Sequence, residues 1–208
     1  MAEKSYRPGE SYQYPLLINK LLMTPLAYSP NQEIIYRDKF RYTYRDFNAR
    51  IHKLANALTG LGVKEGDTVC VFDYDSHRYL ECFFAVPMMG AVLHTMNWRL
   101  SPDQILYTMN HAEDDMVIVN SDFLPIVEEI WDKLTTVKKL VVIYEDGKVE
   151  TKLKVDAVYE DMVNGAADVF EFRDLDENTR ATTFYTTGTT GLPKGVFFTH
   201  RQLVLHAM

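Results

Sequence analysis

The sequence predicts an α/β protein, a parallel-rich sheet with helices on both faces. Three observations carry that expectation. Short continuous apolar runs recur at strand length: Thr68 to Phe72 (TVCVF), Met116 to Asn120 (MVIVN) and Leu140 to Tyr144 (LVVIY). Runs that are apolar at nearly every position suit strands covered on both faces, as in parallel sheets. Longer amphipathic stretches at helical spacing separate them. Near the end, a polar loop rich in Thr and Gly lies between two further apolar runs. In open α/β sheets, ligands sit beyond the carboxyl ends of the strands, and such a loop belongs there.

Each element follows from local pattern. Residues 15–23, PLLINKLLM, place apolar side chains at helical spacing. Residues 33–44 read as two short strands, EIIY and FRYTY, joined by a polar turn at Arg37-Asp38-Lys39. Thr43 can cap the next helix, with Asp46 three residues on as an acidic variant of the capping box. That helix runs to about Leu61, with Phe47, Ile51, Leu54, Ala55, Leu58 and Leu61 on one stripe, and Gly60 and Gly62 end it. After a turn at residues 64–67 comes the strand TVCVF. Ser76 then caps a helix that reaches about Met89 and carries Pro87 near its end. Ala91 to Thr95 is a second buried strand. Ser101-Pro102-Asp103-Gln104 opens another helix, with Ser as cap, Pro at the first position and Gln at the third. Met116 to Asn120 is a strand, residues 122–134 a helix, and Leu140 to Tyr144 a strand. Residues 145–155 are polar and Gly-interrupted, a loop or a hairpin. Residues 158–163 can form a short helix. Residues 168–178 carry five acidic side chains and little periodicity, so a solvated connector is expected. A strand then leads into the Thr/Gly loop.

Composition narrows the function classes. The chain has 208 residues, 47% hydrophobic and 25% charged, typical of a globular protein with a sizeable core. A net charge of −7 argues against a nucleic-acid partner, which selects basic surfaces. The two cysteines, Cys70 and Cys82, lie in apolar surroundings. They read as buried free thiols in a reducing compartment, so a cytoplasmic location is expected. The N-terminus lacks an apolar signal core, and the longest apolar run, residues 82–93, is 12 residues long. A membrane span needs about 20, so this run is expected to be a buried helix leading into a core strand.

The stretch from Thr186 to Gly195 holds four Thr, three Gly and one Lys. Glycines let the backbone adopt positive φ and approach a ligand closely. Successive backbone N–H groups in such a turn form an anion site. Thr hydroxyls add donors, and Lys194 adds a compact positive charge. Together these groups suit a polyphosphate better than a plain hairpin turn would. The Walker pattern fails, because Pro193 precedes Lys194 and Gly195 follows it. The dinucleotide fingerprint fails at Thr190.

Thr187 to Gly195 does match, throughout, the pattern S/T-G-S/T-T-G-x-P-K-G. It thereby resembles the phosphate loop of the adenylate-forming superfamily: acyl-CoA synthetases, peptide-synthetase adenylation domains and luciferases. Thr183, a strand position, departs from the apolar residue that many members carry. The resemblance extends to TYRDF from Thr43, GVKEGDTV from Gly62, LHTMNWRLSP from Leu93 and NHAED from Asn110. These motifs, with Thr199-His200-Arg201, are most similar to medium- and long-chain fatty-acyl-CoA synthetases. Trp98 stands where those often carry Pro.

The resemblance implies that residues 1–208 are the N-terminal portion of an AMP-binding domain, part of the large N-terminal domain of such an enzyme. It implies ATP and Mg²⁺ as cofactors and CoA and a fatty acid or similar carboxylate as substrates. It assigns Thr186, Thr187, Gly188, Thr189, Thr190, Gly191 and Lys194 to the nucleotide, Thr186 to the neighbourhood of the metal, and Lys194 to catalysis. The chain stops at Met208 within the opening of a helix, so it reads as a fragment. By itself it is expected to be inactive, since the adenine pocket and the mobile C-terminal domain come later in the family. A homodimer is an open alternative for its assembly. Two other readings stand beside the fatty-acid ligase: another adenylate-former acting on aryl or short-chain acids, and a non-catalytic nucleotide-binding or interaction module.

Other residues of interest receive structural expectations. His94, His111, His200 and His206 are not at metal-ligand spacing with one another. A structural or surface role is expected for each, with His200 the strongest functional candidate because it follows the loop. Asp73 and Asp75 follow a strand end and are expected to be solvated loop acids. Tyr74, Tyr79 and Tyr107 are expected to pack, and Trp98 is a weak candidate for an interface.

Overall fold

The computed structural model describes residues 14–186 and 191–208. The first helix, α1 (Lys20–Tyr28), starts later than the spacing of residues 15–23 suggests. Leu17 and Ile18 are buried but lie in a turn, and the helix instead continues through Pro25. Strands β1 (Glu33–Tyr36) and β2 (Phe40–Thr43) form an antiparallel hairpin in which Arg37 takes φ +50°. Helix α2 (Tyr44–Gly60) begins with the predicted reciprocal cap. The Asp46 N–H donates to Thr43 Oγ1 at 3.2 Å, and the Thr43 N–H donates to the Asp46 carboxylate at 3.0 Å. Its stripe of Phe47, Ile51, Leu54, Ala55 and Leu58 is buried.

Apart from an unpredicted two-residue strand at Ala157–Val158, the remaining elements alternate as expected. They are β3 (Thr68–Phe72), α3 (His77–Met88), β4 (Val92–Thr95), α4 (Pro102–Ala112), β5 (Met116–Asn120), α5 (Leu124–Ile130), β6 (Lys139–Ile143), β7 (Ala157–Val158), α6 (Tyr159–Asn164), β8 (Arg180–Thr186), β9 (Lys194–Thr199) and α7 (His200–Ala207). Among the described residues, seven strands form one sheet in the order β7-β6-β5-β3-β4-β8-β9. Every neighbouring pair is parallel except β8 with β9.

Strand alternation explains why β3 and β5 are apolar at almost every position. Val69, Val71, Ile118, Val141 and Ile143 pack on one face with α2, α3 and α6. Cys70, Phe72, Val117, Val119, Leu140 and Val142 pack on the other with Ile105 and Met109 of α4 and Leu124, Val127 and Ile130 of α5. Both cysteines are free and fully buried, one in each layer. Among the described residues, no helix is long and apolar enough to cross a membrane.

One stretch differs from expectation, and two others carry detail beyond it. The helix predicted over residues 122–134 is α5 flanked by two 3₁₀ turns, because the Asn120 side chain accepts from the Asp122 N–H and opens a tight turn first. Residues 145–155 are loop rather than hairpin, held by the Glu128 carboxylate, which accepts from Thr151 Oγ1 at 2.6 Å and the Lys152 N–H at 2.9 Å. The connector at residues 168–178 has no regular structure but is fastened to α2. Asn56 Nδ2 donates to the Ala167 and Val169 carbonyls, both at 2.8 Å, and Phe172 packs against the core beside His52.

A buried ionic network joins three helices. Arg50 of α2 donates from Nε to Glu81 of α3 at 2.6 Å and from Nη2 to Glu160 of α6 at 2.9 Å. Arg78 donates to Glu160 at 2.6 Å, and the Tyr159 hydroxyl donates to Glu81 at 2.8 Å. Burial alone would raise the Glu160 carboxyl, but His77, 3.7 Å away, and the Arg50 and Arg78 guanidiniums bring it down to about 2.

Candidate nucleotide site

β8 pairs in parallel with β4, Leu93 opposite Thr182 and Thr95 opposite Phe184, so it delivers Thr186 to the carboxyl edge of the sheet. β9 returns antiparallel with Thr186 opposite Lys194 and Tyr185 opposite Gly195. Thr186 and Lys194 are both exposed at this hairpin end, and Thr186 Oγ1 donates to the Lys194 carbonyl at 3.5 Å. Thr187, Gly188, Thr189 and Thr190 lie outside the described residues.

The two described glycines are needed for different reasons. Gly191 takes φ +101°, a conformation that L side chains rarely adopt, with open space around it. Gly195 has an ordinary φ but is crowded. A Cβ there would lie 3.3 Å from Tyr185 Cε1 and 3.5 Å from its hydroxyl. The described part of the site thus offers one hydroxyl, one ammonium and a glycine backbone in the left-handed region. Those groups stabilise anions.

Beneath the hairpin lies a polar cluster that sequence spacing does not reveal. Tyr185 is 8% exposed, and its hydroxyl is hydrogen-bonded to His111 Nδ1 of α4 at 2.7 Å. Burial, reinforced by the Asp114 charge, pushes this phenol up to about 12, so it keeps its proton. Its ring centroid lies 5.3 Å from that of His94. His94 Nδ1 contacts both Asp114 carboxylate oxygens, at 2.8 and 3.0 Å. Burial pushes the Asp114 carboxyl up, against the opposing pull of His94 and Cys70. Tyr185 and His111 are 74 residues apart, and only the β4–β8 pairing brings α4 under the hairpin.

The other candidates fall into place as follows. His94 is a buried hydrogen-bond partner of Asp114, and His111 is hydrogen-bonded to Tyr185. His200, 1% exposed at the start of α7, accepts the Ile18 N–H at Nδ1, 3.3 Å away, so its role is structural. His206 is exposed. Asp75 is exposed as expected, whereas Asp73 is 3% exposed and corrects that expectation. Asp73 accepts from Ser76 Oγ and, at 2.8 Å, from Asn120 Nδ2, bonds that let a carboxyl leave water. Tyr74, Trp98 and Phe123 form an aromatic group, with Tyr74 centred 5.6 Å from Trp98 and 4.8 Å from Phe123. Tyr79 packs on Phe83 and Tyr107 on His111. Among the described residues, the one group at metal-ligand spacing is Cys70, His94 and Asp114, all buried and distinct from Thr186.

A mostly parallel sheet with a Thr/Gly/Lys hairpin at its carboxyl edge defines the chain as an α/β protein. The chain belongs to the AMP-binding enzyme family, whose profile matches residues 25–208. It is 44% identical over 168 residues to a long-chain-fatty-acid–CoA ligase of Thermus thermophilus, covering 81% of this chain and 30% of that protein. It is 34% identical over 205 residues to a medium-chain-fatty-acid–CoA ligase of Ectopseudomonas oleovorans, covering 96% of this chain and 38% of that protein. The fold superposes on an anthranilate CoA ligase solved with anthranoyl-AMP, with TM-score 0.81 and 26% identity, over 90% of this chain and 35% of that one. The chain spans about a third of the length of the curated relatives it matches.

Proposed function

We propose that the protein carrying this chain is an ATP-dependent acid–CoA ligase acting on a fatty acid. The observation that carries the reading is the β8–β9 hairpin, which sets Thr186 opposite Lys194 at the carboxyl edge of the sheet in a chain of the AMP-binding enzyme family. In the first step, a carboxylate oxygen attacks the α-phosphorus of ATP. The bond to the bridging oxygen breaks, and acyl-AMP and pyrophosphate form. In the second, the CoA thiolate attacks the acyl carbon and AMP leaves, giving the thioester.

The first step requires a positioned triphosphate and neutralisation of the leaving charge. Thr187, Gly188, Thr189, Thr190 and Gly191 hold the β- and γ-phosphates in this reading, and Lys194 offsets charge on the departing pyrophosphate. Mg²⁺, when bound, supplies further neutralisation through the phosphate oxygens, usually with few protein ligands. The exposed Thr186 hydroxyl fits that neighbourhood.

The test is acid-dependent exchange of pyrophosphate into ATP, followed by CoA-dependent AMP release, across acids of graded chain length and an aryl panel. Exchange with fatty acids and thioester on adding CoA are expected. Exchange confined to aryl or short-chain acids would move the assignment to another adenylate-former. ATP binding without exchange for any acid would point to a non-catalytic nucleotide-binding module.

A further inference from the structure

We propose that Tyr185, held by His111, is a positioning residue for Lys194. The inference rests on the reading above, in which Lys194 meets phosphate, and goes beyond it by naming what aims the lysine. Lys194 opens β9, and its strand neighbour Gly195 lies opposite Tyr185. The absence of a side chain at Gly195 lets β9 rest on the edge of the phenol ring, the virtual Cβ falling 3.3, 3.4 and 3.5 Å from Cε1, Cζ and the hydroxyl. The ring in turn is fixed from two elements. His94 of β4 packs on it at 5.3 Å and is itself held by Asp114, and His111 of α4 takes its hydroxyl at 2.7 Å. A continuous set of contacts therefore runs from α4 and the sheet, through one phenol, to the backbone beside Lys194. On the opposite strand, the residue after Tyr185 is Thr186, hydrogen-bonded to the Lys194 carbonyl. Loss of the Tyr185–His111 bond would free the ring to rotate and let the hairpin end shift against the sheet. A one-ångström error in a phosphate contact is enough to weaken it.

The experiment compares Tyr185→Phe, His111→Ala, His111→Gln and the double variant Y185F/H111A with wild type in the full-length protein, each first checked for a wild-type thermal transition. Tyr185→Phe keeps the ring and its packing. Isothermal titration calorimetry reads the MgATP dissociation constant, and pyrophosphate exchange reads KM for ATP and for the acid separately. Y185F and H111A are expected to weaken MgATP binding about three- to tenfold, the scale of one lost hydrogen bond. KM for the acid, and thioester formation from supplied acyl-AMP, should stay at wild-type values. H111Q, whose amide oxygen can accept the phenol proton, should bind MgATP like wild type. The double variant should be no weaker than either single variant, as for two partners in one bond. Wild-type MgATP affinity in Y185F, additive losses in the double variant, or equal loss in both half-reactions would overturn the proposal. If wild type binds MgATP but activates no acid, the ligase reading fails while the calorimetric ratio still decides this one. If wild type does not bind MgATP at all, both fall.

Discussion

At the scale of single residues, Lys194 and the two cysteines make contrasting predictions. Lys194 is exposed at the hairpin end, where its ammonium can reach a ligand. In the proposed reaction pyrophosphate leaves in the first half-reaction only, so Lys194→Ala is expected to slow adenylation by about 10²-fold, the usual effect of removing one preorganised charge. Thioester formation from supplied acyl-AMP should change little. Single-turnover measurement of each half-reaction checks this, and equal losses would remove Lys194 from the pyrophosphate contact. Cys70 and Cys82 are the opposite case, with no exposure at all. Burial pushes both thiols up, with the Asp114 charge adding to it at Cys70 and the Glu81 charge at Cys82. A thiolate is the reactive form, so labelling of the native protein by a thiol reagent at pH 8 should be slow and should follow global unfolding. Rapid labelling of either thiol would contradict the buried placement.

At the scale of elements, caps decide where helices begin. Thr43 and Asp46 satisfy each other's backbone N–H groups at the start of α2, and Ser101 with Gln104 does the same for α4. Both boxes are visible in sequence because every partner lies within four residues. Thr43→Ala is expected to cost about 1 kcal/mol, measured as a lower urea midpoint with an unchanged slope. No change in midpoint would mean that packing of Phe47 and Ile51, and not the cap, sets the boundary. The helix that broke up, residues 122–134, shows the limit of such reading. A single side-chain bond from Asn120 at a strand end competes with helical continuation there.

At the scale of the whole molecule, long-range polar contacts tie distant segments. The Arg50–Glu81–Glu160 network joins α2, α3 and α6, and Glu81 is fully buried. Arg50→Ala is expected to destabilise by about 3–5 kcal/mol because it leaves Glu81 buried and short of its partner. The double variant R50M/E81L should be less damaging than Arg50→Ala alone. Chemical denaturation of both checks the order, and a double variant at least as unstable would assign the loss to packing. His200 makes a second link, accepting the Ile18 N–H 182 residues away. Burial lowers its pKa below the ordinary 6.5, against a smaller opposing effect from Pro87. The unfolded chain therefore binds more protons between the two values, and stability falls as pH drops from about 6.5 toward the folded value. Thermal midpoints of wild type should decline across that window more steeply than those of His200→Gln. Parallel curves would show that His200 is not the group responsible.

Sequence alone determined the alternating α/β order, the strands of the central sheet other than β7, two capping boxes and the Thr/Gly/Lys stretch. Each depends on spacing within a few residues, where periodicity and side-chain type speak directly. Which residues of TVCVF and MVIVN face which layer was settled by packing, since both runs are apolar at nearly every position. Tertiary structure alone decided the strand order, the burial of Asp73 and His200, the Arg50 network and the His111–Tyr185–Gly195 contact. Their long-range links reach partners as far as 182 residues away, joined by sheet pairing and helix packing. Nothing about Tyr185 as a residue type distinguishes a packing aromatic from one that aims a lysine. The difference is made by β4 pairing with β8, which brings His111 within 2.7 Å of its hydroxyl.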